Sequence, residues 1–454
     1  MSARRADAPR RATPTPRDVH HSIGVIAEAL TSGHDDRALR IARGLGPDAL
    51  GAVAGLPSAQ ARVREALAAA ETLFVGGCTR DASTWCAAAE WSASETDAPE
   101  LLVEARGLRA AILAVSGESM EAEGVIAETR RVLRDLEPAA SGVVSWPLIL
   151  AEATTVMNRR TGRDVRSLID EARDLDPALD WIAPGLVRLL ETMQHMLHGE
   201  RRQVVDASEG CRGSGSPGCP RYLRDVILSH TARSYVVLGD PGRALGLLAE
   251  AASPGDHPVC LSVDRASAYL AAGRPAEALA CTESCVRSPE HMQRPLRALH
   301  VRRAIALEMQ GRPAAADREF ARAWYSAIVT GSVRPVVGVP EKEYRALEAR
   351  FRERHPDVVD TLADYAVFAE AVHPVEGVGD LGMLGQRERE VGGLLVGGGT
   401  SAQIAATLGI SVNTVKTHMR AIYAKLGVHT RTAAVDELRR LGLGARESSG
   451  EGRR

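Results

Sequence analysis

Ser401-Ala402-Gln403-Ile404-Ala405-Ala406-Thr407-Leu408, then Gly409-Ile410-Ser411, then Val412-Asn413-Thr414-Val415-Lys416-Thr417-His418-Met419-Arg420, is the stretch that decides the fold at the carboxyl end. The first eight residues predict a short helix with Ile404, Ala405 and Leu408 on one face. Gly409 can adopt positive φ after that helix, and Ser411 is a good N-cap for the next. A second helix over Val412–Leu426 is predicted by apolar residues at 412, 415, 419, 422 and 426, read as one buried stripe. Asn413, Lys416, Thr417 and Arg420 fall on its other side. Two helices joined by a three-residue turn, the second polar outward, form a helix-turn-helix. Flanking helices are predicted over Gln386–Leu395, through Val391, Leu394 and Leu395, and over Thr432–Leu441, through Ala433, Leu438 and Leu441. The stretch thus belongs to a small four-helix domain, 384–444, followed by a disordered tail, 445–454. Pro374, Gly377 and Gly379 without an apolar period mark 373–383 as a linker.

Upstream, residues 20–372 read as a helical-repeat domain. A Gly followed five residues later by a small or apolar residue recurs at Gly33/Ala38, Gly77/Ala82, Gly117/Ala122, Gly162/Ser167, Gly199/Val204, Gly239/Ala244, Gly273/Ala278 and Gly311/Ala316. Periods of this length mean stacked helix pairs. Gly can take the left-handed conformation that ends the first helix of each pair, and the small residue lets the second pack closely. The clearest units, Tyr235 to Leu245 and Tyr269 to Leu279, lie 34 residues apart and resemble tetratricopeptide repeats. A non-repetitive α-bundle is the alternative. Stacked repeats bury one core and leave a concave face for a ligand or protein partner. Residues 1–19, rich in Arg and Pro, are expected to be a disordered arm.

Composition agrees with an all-α chain. Aromatics are only 4%, and Ala, Leu, Arg and Glu dominate. Charge is uneven. The net is -2, but 384–454 holds eleven cations against six acids, whereas 21–383 is acidic. That asymmetry suggests a nucleic-acid module on a separate body. Just three cations are Lys: Lys342, Lys416 and Lys425. No apolar run approaches the roughly 18 residues of a membrane span, and no secretory signal is visible. Seven Cys favour reduced thiols and a cytoplasmic location. Cys211 and Cys219 read as flanking a flexible loop, and Cys281 and Cys285 as core packing. His195 and His198 lack a third ligand for a metal. There is no GxxxxGK[ST] phosphate loop, no βαβ receiver pattern and no nucleophile–base set, so an enzyme is not expected, nor a cofactor.

Gln386-Arg387-Glu388-Arg389-Glu390-Val391, Leu408-Gly409-Ile410-Ser411, Thr414-Val415-Lys416-Thr417-His418, Lys425-Leu426-Gly427-Val428 and Arg431-Thr432-Ala433-Ala434-Val435 together resemble the LuxR/NarL/GerE-type DNA-binding domain over about 60 residues. With the repeats before it, the chain resembles the carboxyl half of MalT-like regulators without their ATPase domain. The resemblance implies a DNA-binding transcriptional regulator whose second helix lies in the major groove of double-stranded promoter DNA. It implies base contacts from Val415, Lys416 and Arg420, to which helix geometry adds Asn413. Thr400, Ser411, Thr414 and Lys425 would position phosphates, as would His418. The last helix resembles the family's dimerisation helix, so a homodimer acting on RNA polymerase is expected. Where the family has Thr, this chain has Gly385; Gly392, Gly393 and Gly399 replace helix formers or larger apolar residues, which predicts a marginal first helix. The alternative is a tetratricopeptide-like adaptor whose terminal domain no longer reads DNA.

Overall fold

A computed structural model describes the chain except residues 1–13, 33, 43, 46, 137–144, 160–163, 176–180, 209–218, 250–258, 289–290, 292, 331–335, 337, 364–383, 385, 427, 429 and 441–454. The expected linker at 373–383 and the tail at 445–454 lie outside the described residues. The described residues form helices and turns, with no strand among them.

The amino end corrects one expectation. Helix α1 (Pro16–Thr31) begins inside the stretch read as an arm. Thr15 and Asp18 explain it. The Thr15 backbone N–H donates to the Asp18 carboxylate at 2.8 Å, and the Asp18 N–H donates to Thr15 Oγ1 at 3.3 Å. This reciprocal cap satisfies two amide donors, and Pro16 sits at a position where a missing N–H costs nothing. The Thr15 hydroxyl, donating to the same carboxylate at 2.7 Å, and then the Thr15 N–H hold the Asp18 carboxyl below its ordinary pKa. Helices α2 (Asp35–Ala42) and α3 (Pro47–Ala54) follow and pack with α1 against α4 (Ala59–Val75).

From α4 on, helices alternate between two layers. The first layer is α4, α6 (Pro99–Ser116), α8 (Trp146–Arg159), α10 (Ala183–His198), α12 (Arg221–Val237), α14 (Leu261–Ala271), α16 (Gln293–Met309) and α18 (Glu341–Arg354). Each member packs on the next. The second layer is α5 (Thr79–Ala93), α7 (Ser119–Asp135), α9 (Val165–Arg173), α11 (Arg201–Ala207), α13 (Pro241–Ala249), α15 (Pro275–Arg287), α17 (Pro313–Thr330) and α19 (Pro356–Ala363). Each of these packs on the helix before it, and all but α19 also pack on the helix after.

The glycine rule holds at every repeat position described. Gly77, Gly117, Gly199, Gly239, Gly273 and Gly311 all take positive φ. Gly33 and Gly162 lie outside the described residues. At each of the six, the residue after the glycine donates its N–H to the carbonyl five residues back, as in Arg274 to Tyr269 and Arg312 to Leu307. This is the Schellman closure, which satisfies helix-end carbonyls while reversing the chain. The paired residues Ala82, Ala122, Val204, Ala244, Ala278 and Ala316 are all buried, where the second helix meets the first.

The expected concave face is corrected as well. Helix α4 reaches across to α12, and α6 to α16. Phe74 on α4, fully buried, stacks with Tyr222 of α12 at 5.2 Å between ring centroids and with Trp146 of α8 at 6.1 Å. The inner layer therefore meets itself, and a continuous core runs from Val19 to Ala268. A short-period array with bulky inner aromatics gains more by closing on its own apolar surface than by leaving it wet. A second core joins α14 to α19 around Phe320, Trp324, Tyr344 and Phe351.

The carboxyl-terminal unit comprises α20 (Gln386–Val396), α21 (Ser401–Leu408), α22 (Val412–Leu426) and α23 (Arg431–Arg440). Its own core gathers Leu384, Val391, Leu395, Ile404, Val415, Ile422, Ala434 and Leu438. Arg389 on α20 donates to the Gly239 carbonyl in the α12–α13 turn at 3.2 Å, joining this unit to the repeats.

Candidate nucleic-acid interface

Local capping builds the helix-turn-helix. Thr400 caps α21: its hydroxyl accepts from the Gln403 N–H at 3.3 Å, and the Gln403 side chain accepts from the Thr400 N–H at 2.8 Å. Gly409 ends α21 in the left-handed region at φ 66°. Ser411 then caps α22, accepting from the Thr414 N–H at 3.0 Å, with its hydroxyl 2.8 Å from that of Thr414. Because Ser411 and Thr414 share one hydrogen bond, one hydroxyl proton of the pair remains to donate outward. The open end of α22 also carries the partial positive charge of a helix N-terminus.

The turn before α21 is tied from a distance. Arg431, the first residue of α23, donates to the Gly399 carbonyl at 2.6 Å. Gly399 lies between the two helices, and its size matters. A Cβ there would lie 3.0 Å from the Leu394 carbonyl oxygen and 3.2 Å from Ile404 Cγ1. Gly398 beside it takes φ 83°. Gly393, by contrast, is a true interior position of α20, and a Cβ there would meet open space.

The exposed face of α22 gathers Asn413, Thr414, Lys416, Thr417 and Arg420. Lys416 and Arg420, four residues apart, stand one turn apart on it. Ser411 and Thr400 are exposed at the amino ends of their helices, and His418 is half-buried. Lys425 lies on α22, and its side chain falls outside the described residues.

Val415 does not join the face. It is 0% exposed and packs in the domain core with Ile404 and Ile422. A side chain held there has no reach to a base edge, so its assignment as a base contact is corrected. Val412 departs in the opposite sense: placed on the buried stripe by periodicity, it is 40% exposed. The first residue of a helix precedes the point where neighbouring helices cover it.

Thr417 shares the exposed face, as its spacing predicts, and its hydroxyl donates to the Asn413 carbonyl at 3.0 Å. One feature escaped the sequence reading. Arg431 acts as a positioning residue, through a contact 32 positions away in sequence that no local pattern signals. The charge of the site is one-sided as well. From Val391 to Val435 the sequence holds Lys416, Arg420, Lys425 and Arg431 and no Asp or Glu. Such a surface repels no polyanion and offers several phosphate partners.

Among the described residues no helix is long and apolar enough to cross a membrane. The model of the family described as bacterial regulatory proteins, luxR family, matches residues 383–438. That span covers all but the last two residues of the four-helix unit and contains the whole exposed face of α22. Residues 383–438 are therefore a LuxR-family domain, a DNA-binding regulatory unit carried behind an all-α array of helix pairs.

Proposed function

We propose that the protein is a transcription regulator that reads double-stranded promoter DNA by laying α22 in the major groove. The observation that carries this reading is the LuxR-family match on a domain whose exposed helix face bears Lys416 and Arg420 in an acid-free stretch. Lys416 and Arg420 donate to guanine N7 and O6, the acceptors that distinguish G·C in that groove. Asn413 reaches a neighbouring base edge. Exposed Val412 and the Thr417 methyl, rather than Val415, provide apolar contact to thymine methyl groups. Thr400, Ser411, Thr414, His418 and Lys425 bind phosphates and fix register. The protein acts in the cytoplasm as a homodimer on two half-sites, through α23, and influences RNA polymerase there. The repeat body receives the signal, as a ligand or protein bound to its outer surface, since its inner layer is packed against itself.

The test is selection of genomic fragments by the full-length protein, followed by affinity measurement for wild type and for Lys416→Ala combined with Arg420→Ala. Wild type should bind its selected site at least about 30-fold more tightly than the double variant, from two contacts each worth about 1–3 kcal/mol. Affinity should also fall with salt, with a log–log slope of about -0.9 per neutralised phosphate. Equal binding by both proteins would favour the adaptor reading, in which the terminal domain no longer reads DNA.

A further inference from the structure

Cys260, Cys285 and His291 come together in the repeat body although the sequence spreads them over 32 positions. Cys260 is the N-cap of α14, Cys285 sits in the last turn of α15, and His291 lies in the turn before α16. All three are buried, and their donor atoms lie within 4.8 Å of one another. Among the described residues this is the one group of three such donors. Val263 and Leu299 pack against the two cysteines, with Val286 and Leu296 beside them.

The spacing distinguishes what the cluster can do. The two sulfurs are 3.8 Å apart. A disulfide requires about 2.05 Å. Two thiolates on one tetrahedral zinc, each at about 2.3 Å, stand about 3.8 Å apart. We propose that Cys260, Cys285 and His291 bind one zinc(II) ion, which fastens the α14–α15 pair to the start of α16. Ser262 Oγ, buried and 3.5 Å from Cys285 Sγ, marks where a fourth oxygen ligand, this hydroxyl or a water, completes the tetrahedron.

The chemistry balances. Zinc displaces one proton from each thiol to solvent, two Zn–S bonds form, and nothing is oxidised or reduced. Two thiolates cancel the charge of the ion, so the buried site is neutral, the condition under which burial costs least. Copper(I) in the same set would leave a net negative charge. Burial first, and then the hydrogen bond to the Cys285 thiol, push the Cys260 pKa well up. In sequence Cys285 reads with Cys281, one turn away, as core packing; the partner that matters comes from the preceding helix.

The test uses the full chain, purified with reductant and stripped with chelator, with cobalt(II) as probe. One cobalt(II) per chain should bind with the intense thiolate-to-metal absorption of a tetrahedral site, and one equivalent of zinc should abolish that absorption. Two protons should be released per zinc. Cys285→Ser and His291→Gln should each weaken binding by about 100-fold or more, whereas Cys281→Ser should bind as wild type. Circular dichroism checks that the variants fold. Should they fail to fold, the wild type answers instead, because zinc should raise its melting temperature above that of the stripped chain and chelator should reverse the rise. No cobalt absorption by the folded wild type, an equal melting temperature with and without zinc, or metal retained by Cys260→Ser with Cys285→Ser would overturn the proposal.

Discussion

Lys416 and Val415 are neighbours in sequence and opposites in consequence. Lys416 is exposed on α22, so Lys416→Ala should leave the thermal melt unchanged while weakening specific DNA binding by about 1–3 kcal/mol. Val415 is sealed in the domain core, so Val415→Ala should cost about 1–3 kcal/mol of domain stability in a denaturant titration. If Val415→Ala altered sequence preference while leaving stability intact, the placement of its side chain would be wrong. Periodicity alone put Val415 on the buried stripe, and motif resemblance pulled it toward the DNA; burial sides with periodicity. Periodicity in turn misplaced Val412, because a stripe drawn along a helix does not know where its neighbours stop. Lys416, Arg420 and Asn413 were legible because an exposed polar face follows directly from the 3.6-residue turn.

Helices and turns show where glycine helps and where it weakens. Gly393 lies inside α20 with open space where an added methyl would sit, so Gly393→Ala should stabilise the carboxyl-terminal domain by about 0.5–1 kcal/mol. Gly273 ends α14 at φ 71°, also with free space, so Gly273→Ala should instead destabilise by about 1–2 kcal/mol through backbone strain alone. Melting both variants against wild type checks the opposite signs. The repeat turns could be read in the sequence because a left-handed helix end is a local demand that Gly meets best. The boundaries of α21 and α22 were equally legible from Thr400, Gly409 and Ser411. The start of α1 was missed because the Arg- and Pro-rich composition around it outweighed one Thr-Pro-x-Asp cap.

Across the whole molecule, closure of the inner layer is the property that local patterns could not convey. Phe74 meets Tyr222 from 148 positions away, and nothing in a repeat period says how tightly successive pairs will curl. Phe74→Ala should therefore cost about 3–5 kcal/mol and lower the denaturation midpoint of the repeat body. An unchanged midpoint would mean that the cross-array contact contributes little. The scarcity of lysine has a further consequence at this scale. An amine-directed reagent meets three side chains in 454 residues, two of them, Lys416 and Lys425, on α22 and the third, exposed Lys342, on α18. Labelling with and without DNA thus becomes a footprint with its own internal standard. Occupancy should quench the signal from the α22 peptide while Lys342 keeps reporting the dose of reagent.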